Sequence, residues 1–291
     1  MKGVDRPAHY RHPGQAFIAR YGGIQIEQDV QRYVEFLRQE AGLSNEPPIH
    51  LDAIYQHFGM PAPLRAPLTD QQGILVDSQT GIILIKEDDP GVRQRFTEGH
   101  ELMELLFDAQ EQLGQEVAAT WEIDEGRKEQ LCDRGAADLL MPQSSFVPRL
   151  QELGISLDTG CALASLYQTS LLATLIRMMQ YGTSAHALVM WHYALKPTEL
   201  KRLKDGEPEP RKKLRVWWRT WTKGWRSHFI PKDKSISLDS PIYRAYRTGR
   251  VERAVACLDL GQGKINCQVE AMPMQIGVKD CVLSVLHSIE K

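Results

Sequence analysis

Apolar positions along the chain change period several times, and each change predicts a different element. Ile26, Val30, Tyr33, Val34 and Leu37 recur at helical spacing within Ile24–Ala41, which predicts an amphipathic helix with Gly42 as its terminator. Ile49–Phe58 reads as a second, shorter helix. Gly73–Val76 and Gly81–Ile85 are apolar runs rich in β-branched residues. They predict two strands joined through Asp77-Ser78-Gln79-Thr80. A helix-period run follows Pro90 and includes Phe96–Phe107. After a polar loop at about 110–126, another begins near Glu129 and stops at Pro142. Residues 155–195 read as helical throughout. Lys201–Pro210, charged and carrying two prolines, reads as a linker. Beyond it, Ser240–Arg250 predicts a short helix closed by Gly249, Pro273–Gly277 a turn, and Val282–His287 a buried strand.

The run after Pro90 carries the candidate chemistry. It contains Phe96-Thr97-Glu98-Gly99-His100-Glu101-Leu102-Met103-Glu104, so His100 and Glu104 stand four apart and share one helix face. This is the His-Glu-x-x-His layout with Glu in the last place. In that layout the i and i+4 side chains hold a metal, and the intervening Glu takes a proton from the attacking water. Taken alone, the pair is also compatible with an ordinary i, i+4 contact. A second segment weighs against that. Glu129 and Asp133 are again four apart on one face of the next predicted helix, which offers a further carboxylate and an Asp to orient a ligating His.

Together the two helices resemble the ImmA/IrrE family of metallopeptidase-like proteins. That family's signatures are Arg-Phe-Thr-x-x-His-Glu-x-x-His and Glu-x-x-x-Asp/Asn-x-Phe-Ala-Ala-x-Leu-Leu-Met-Pro. Here Arg95-Phe96-Thr97 leads into His100-Glu101, and Ala136-Ala137-Asp138-Leu139-Leu140-Met141-Pro142 follows the second signature closely. Glu104 departs from the second His. Gly135 departs from the usual Phe and is expected to loosen packing. The resemblance implies His100, Glu104 and Glu129 as metal ligands, Glu101 as general base and Asp133 as the support behind a ligand. One imidazole and two carboxylates form a harder set than two imidazoles and one carboxylate, so manganese or iron should compete better with zinc than at the usual motif, and zinc or manganese is the ion expected. The implied substrate is a helix-turn-helix repressor of a stress or mobile-element response. The implied fold is α+β, in three parts. A zincin-like peptidase domain with a small antiparallel sheet spans 1–150, a helical helix-turn-helix-like segment 151–200, and a small GAF-like α/β domain 201–291. The reading leans to an endopeptidase. The second reading is a non-catalytic regulator that keeps the fold for protein or DNA binding.

Composition narrows the partners. With 291 residues, 42% hydrophobic, 25% charged and a net charge of −2, the chain has globular values and no global attraction to nucleic acid or membrane. Met1–Pro7 lacks the apolar core of a signal peptide and no apolar run is long enough to span a bilayer, so the cytoplasm is the expectation. Five scattered cysteines form no CxxC pair. Arg177 is the only Arg or Lys within 156–195, which argues against direct DNA reading by the helical segment. Seven basic residues and four Trp crowd Arg211–Arg226; a strand that buries some Trp and turns Arg and Lys to solvent is favoured over a nucleic-acid platform. His9, His12, His50, His57, His186, His192, His228 and His287 have no partner at ligand spacing and read as surface or structural.

Overall fold

The computed structural model describes residues 9–113, 123–204, 210–225, 229–261 and 263–289. His228, Arg226, most of the polar loop before Glu129 and the middle of the expected linker lie outside these. Clustering of contacts divides the chain into two compact units. One comprises Met1–Arg149 with Leu163–Ser170, the other Leu150–Ala162 with Leu171–Lys291.

In the first unit, helices α1 (Pro13–Tyr21), α2 (Gln28–Glu40) and α3 (Leu51–Phe58) precede strands β1 (Leu64–Ala66), β2 (Gly73–Asp77) and β3 (Ile82–Lys86). The long helix α4 (Gly91–Glu111) and α5 (Glu125–Leu140) complete the series, and the boundary between the units falls within α6 (Gln143–Leu153). Helix α2 starts later than the apolar period predicts. The buried Asp29 carboxylate accepts from the backbone N–H groups of Gln25 (3.0 Å) and Ile26 (3.1 Å) and folds them into a turn. Ile26, expected on the buried face, is consequently 54% exposed. The sheet has the order β1-β3-β2 and is mixed rather than purely antiparallel: β2 pairs with β3 antiparallel, and β1, unpredicted, pairs with β3 in parallel. Strand β2 is therefore an edge.

The core of this unit joins Phe17, Tyr33 and Phe36 to Leu102, Leu105 and Leu106 of α4 and to Leu139 and Leu140 of α5. Helices α4 and α5 approach closely because Gly135 allows it. A Cβ there would sit 2.5 Å from Met103 Sδ and 3.2 Å from Val30 Cγ1. The glycine makes room for the Met103 side chain between the helices. Helix α5 begins at Asp124, whose side chain accepts from the Arg127 N–H at 2.8 Å, and closes ahead of Pro142.

Helices α7 (Leu157–Tyr167) and α8 (Leu171–Tyr181) follow the expectation of a helical segment, but residues 186–194 do not. His186–Ala194 is strand β4, a continuous apolar and aromatic run buried on both faces, which periodicity alone does not distinguish from a buried helix. After α9 (Pro197–Lys204) come β5 (Lys213–Trp221), α10 (Pro241–Thr248), β6 (Glu252–Asp259), β7 (Lys264–Ile276) and β8 (Lys279–Ser288). These strands form one antiparallel sheet of order β5-β4-β8-β7-β6. Trp191, Val216, Val269, Val282 and Leu286 belong to its core together with Ile242 and Ala245 of α10. Pro273–Gly277, expected as a turn, mostly prolongs β7, with the turn delayed to Gly277 at φ +57°. The Trp-rich segment is a strand, as favoured. Its Arg215, however, is buried rather than turned to solvent. Among the described residues no single helix is long and apolar enough to cross a membrane.

Candidate metal centre

Helices α4 and α5 bring the five predicted residues to one cleft of about 690 Å³, walled on the other side by Asp70–Leu75 at the free edge of β2. His100 is the hub. Its Nδ1 lies 3.0 Å from Asp133 Oδ1, and its Nε2 lies 3.6 Å from Glu129 Oε2 and 3.8 Å from Glu104 Oε1. With Nδ1 donating to Asp133, the Nε2 lone pair faces the two carboxylates. Burial lowers the imidazole pKa, but the Asp133 hydrogen bond and the surrounding carboxylates outweigh it, so His100 stands above the usual histidine range.

Glu101, the next residue on α4, points elsewhere on the helix and is buried. Its carboxylate accepts from the backbone of Leu75. Burial, opposed by the charge of His100 and aided by that of Glu104, pushes its pKa up to about 7. A carboxyl poised near neutrality suits a group that must take up and return a proton. The approach of β2 depends on Gly73, where a Cβ would sit 2.3 Å from Thr97 Cγ2 and 2.6 Å from Glu101 Oε1. Any side chain there would displace the base.

The Glu104 and Glu129 carboxylates each lie near ion-sharing distance of His100 Nε2, although Glu129 falls outside the three-donor group formed by His100, Glu104 and Cys132. Tetrahedral coordination with bonds of about 2.0–2.2 Å sets ligand atoms roughly 3.3–3.6 Å apart, close to the spacings around His100 Nε2. A further donor that the sequence analysis missed lies beside them. Cys132 Sγ groups with His100 and Glu104, all three ligand atoms falling within 4.8 Å of one another, and it donates to Glu104 Oε1 at 3.2 Å. Lys128 was missed as well; its Nζ meets Glu104 Oε2 at 2.8 Å. The signal was present: Lys128 and Cys132 are four apart, like Glu129 and Asp133, so α5 offers the cleft two adjacent rows of side chains. Among the described residues no other histidine lines the cleft. His12 Nε2 lies 3.2 Å from Asp108 Oδ2, and His186 stacks on His287 with ring centroids 4.3 Å apart.

Residues 62–179 match the family model of the IrrE N-terminal-like domain, peptidase M78, and the match contains both motif helices. The resemblance read from those helices is thereby supported; the match stops short of the GAF-like reading of the C-terminal part. Among solved structures, the fold is similar to that of a transcriptional regulator from Mycobacterium tuberculosis. That likeness covers 94% of this chain and 92% of the other, with a TM-score of 0.56 and 13% identity. At that identity the likeness is one of fold alone. No curated protein matches the sequence.

Proposed function

We propose that the chain is a metal-dependent endopeptidase of the ImmA/IrrE kind, acting in the cytoplasm on a helix-turn-helix repressor. The observation that carries this reading is the convergence on His100. An imidazole oriented by Asp133 at 3.0 Å faces two carboxylates at 3.6 and 3.8 Å, beside a buried carboxyl raised to about 7. His100, Glu104 and Glu129 would hold zinc or manganese, which supplies Lewis-acid polarisation of the scissile carbonyl and a lowered pKa for water. Asp133 fixes the imidazole tautomer. The free edge of β2 lets an extended peptide pair with backbone groups beside the base. Glu101 takes the proton of the attacking water and returns it to the leaving amine as the C–N bond breaks, so that it ends the cycle ionised as it began. By the same likeness, residues 201–291, whose strands share one sheet with β4, serve as a GAF-like sensor or docking module.

A second reading, a non-catalytic regulator on the same scaffold, draws on one observation: Glu104 already has a protein partner on each oxygen. Substitution separates the two. Glu101→Gln should slow repressor cleavage by roughly 10²–10⁴-fold while leaving bound metal and circular dichroism unchanged, and Glu129→Ala should lose metal. Equal cleavage by Glu101→Gln and wild type, or absence of stoichiometric metal after dialysis against zinc and manganese, rejects the peptidase in favour of the regulator.

A further inference from the structure

Glu104 stands where the family motif has its second His, and each of its oxygens already has a protein partner. Its Oε2 accepts from Lys128 Nζ at 2.8 Å and its Oε1 from Cys132 Sγ at 3.2 Å. Replacing a neutral imidazole by a carboxylate adds a negative charge beside Glu101 and Glu129, and like charges at such range oppose one another. The ammonium of Lys128 answers that charge from within the protein. Its side chain is only 17% exposed, and its Nζ lies 6.0 Å from the centroid of the Phe107 ring, so the group is held in the cleft rather than waving in solvent.

We propose that Lys128 is a tethered cation that occupies the charge position of the divalent ion and competes with it for Glu104. The inference rests on the reading of Glu104 as a metal ligand. Two cations on one carboxylate repel, so an ion drawn to Glu104 Oε1, the oxygen nearer His100, weakens the hold of Oε2 on the ammonium and favours its release. The structure holds a place for it to go. Glu111 Oε1 lies 3.9 Å from the same Nζ, on the same helix as Glu104 and two turns further on. Moving from Glu104 to Glu111 takes the ammonium away from the ligands without leaving it unpaired. The empty and loaded forms then differ by an exchange of partners: Lys128 with Glu104 in one, Lys128 with Glu111 in the other. Metal affinity is set by this exchange and lies below that of a site with a neutral residue at 128.

The test is chelator competition for zinc and for manganese on the full chain at fixed pH, with wild type, Lys128→Met, Lys128→Gln and Lys128→Arg. Lys128→Met should bind either ion about tenfold more tightly or better, because the competitor is gone. Lys128→Gln serves the same purpose if the Met variant does not fold without metal. Lys128→Arg keeps the charge and should stay within about threefold of wild type. The melting temperature supplies a readout independent of activity. In chelator the neutral variants should melt below wild type, since Glu104 loses its counter-charge. With metal they should gain more than wild type does. Wild-type binding that is unchanged in the folded neutral variants, or an Arg variant that binds as tightly as they do, overturns the competition while leaving the peptidase reading standing. Failure of every variant and of wild type to bind either ion removes both.

Discussion

Two lysine- or arginine-to-glutamate pairs, one in each compact unit, show how differently the same charges can be used. In the C-terminal unit Arg215 is buried, and its Nη2 lies 3.0 Å from both oxygens of Glu199. Its Nε donates to the carbonyl of Ala194 and its Nη1 to that of Asp233, each at 3.1 Å. Glu199 in turn accepts from the Lys196 backbone N–H at 2.7 Å. The fork geometry of the guanidinium is filled, and the pair ties β5 to the segments around it. In the N-terminal unit Lys128 offers Glu104 a single hydrogen bond at 2.8 Å, with another carboxylate, Glu111, 3.9 Å away. The first pair is fixed by the number of its partners. The second has one bond on a flexible stem and an alternative acceptor, and it sits among groups with metal-ligand chemistry. Satisfaction of donors, more than burial, separates a structural clamp from an exchangeable contact.

Of the two pairs, the larger effect should come from breaking the clamp. Arg215→Met removes the counter-charge of Glu199 and leaves two carbonyls without their donor. Losing one partner of a buried pair costs several kcal/mol; because Glu199 is a quarter exposed, about 3 kcal/mol is expected here. Lys128→Met in chelator should cost about 1 kcal/mol, since its pair rests on one bond in an open cleft. Urea midpoints for the two variants decide the matter, and equal losses would erase the distinction drawn above.

The two pairs also show what was legible in the sequence. His100, Glu101, Glu104, Glu129 and Asp133 could be read because helical spacing converts directly into a shared face, and the structure brings all five to one cleft. Lys128 and Cys132 stand four apart on that same helix, but a lysine and a cysteine at that spacing match no ligand pattern, so the spacing alone does not single them out. Arg215 was read as a solvent-facing cation because it falls in a run of basic residues. Its burial is decided by Glu199 and by backbone carbonyls distant in sequence. The strand at His186–Ala194 was taken for helix for a similar reason. A segment buried on both faces has no alternation to reveal it, and its identity is set by β5 and β8 on either side. Gly135 could be noticed as a departure but not interpreted, because the Met103 side chain it accommodates belongs to another helix.

A second test uses pH to ask whether the C-terminal unit has a titrating group of its own. His186 is buried in β4 and stacked on His287 of β8 at 4.3 Å, with planes 7° apart. Burial first, then the charge of His287, lowers its pKa to about 4 from an ordinary 6.5. The sign follows from linkage. Below about pH 6.5 the unfolded chain takes up a proton that the folded chain refuses until about pH 4. Stability is therefore lost as pH falls through that window and changes little further from this group below it. The amount is on the order of 3 kcal/mol. His186→Asn should flatten the dependence of unfolding free energy between pH 7 and pH 4.5. An undiminished slope would mean that His186 does not carry it.

The smallest effect is expected at a third pair, whose contact is shorter than either of the two compared. Arg253 Nη2 lies 2.5 Å from Asp158 Oδ1, closer than either Lys128 to Glu104 at 2.8 Å or Arg215 to Glu199 at 3.0 Å. Yet both side chains are open to water, 51% and 80% exposed, so the Coulomb gain is screened and ordering two mobile chains offsets most of it. Asp158 also stands in the first turn of α7, where a carboxylate adds a few tenths of a kcal/mol that salt screens. Neighbouring Glu270 remains after its removal, 3.9 Å from Arg253 Nε and accepting from the Leu157 N–H at 2.9 Å, so neither the cation nor the helix start is stranded. Asp158→Asn should therefore shift stability by less than about 0.5 kcal/mol at physiological salt and by somewhat more at low salt. Chemical denaturation at two ionic strengths measures both. A loss comparable to that of Arg215→Met would mean that distance ranks these pairs after all, and that the count of satisfied donors does not.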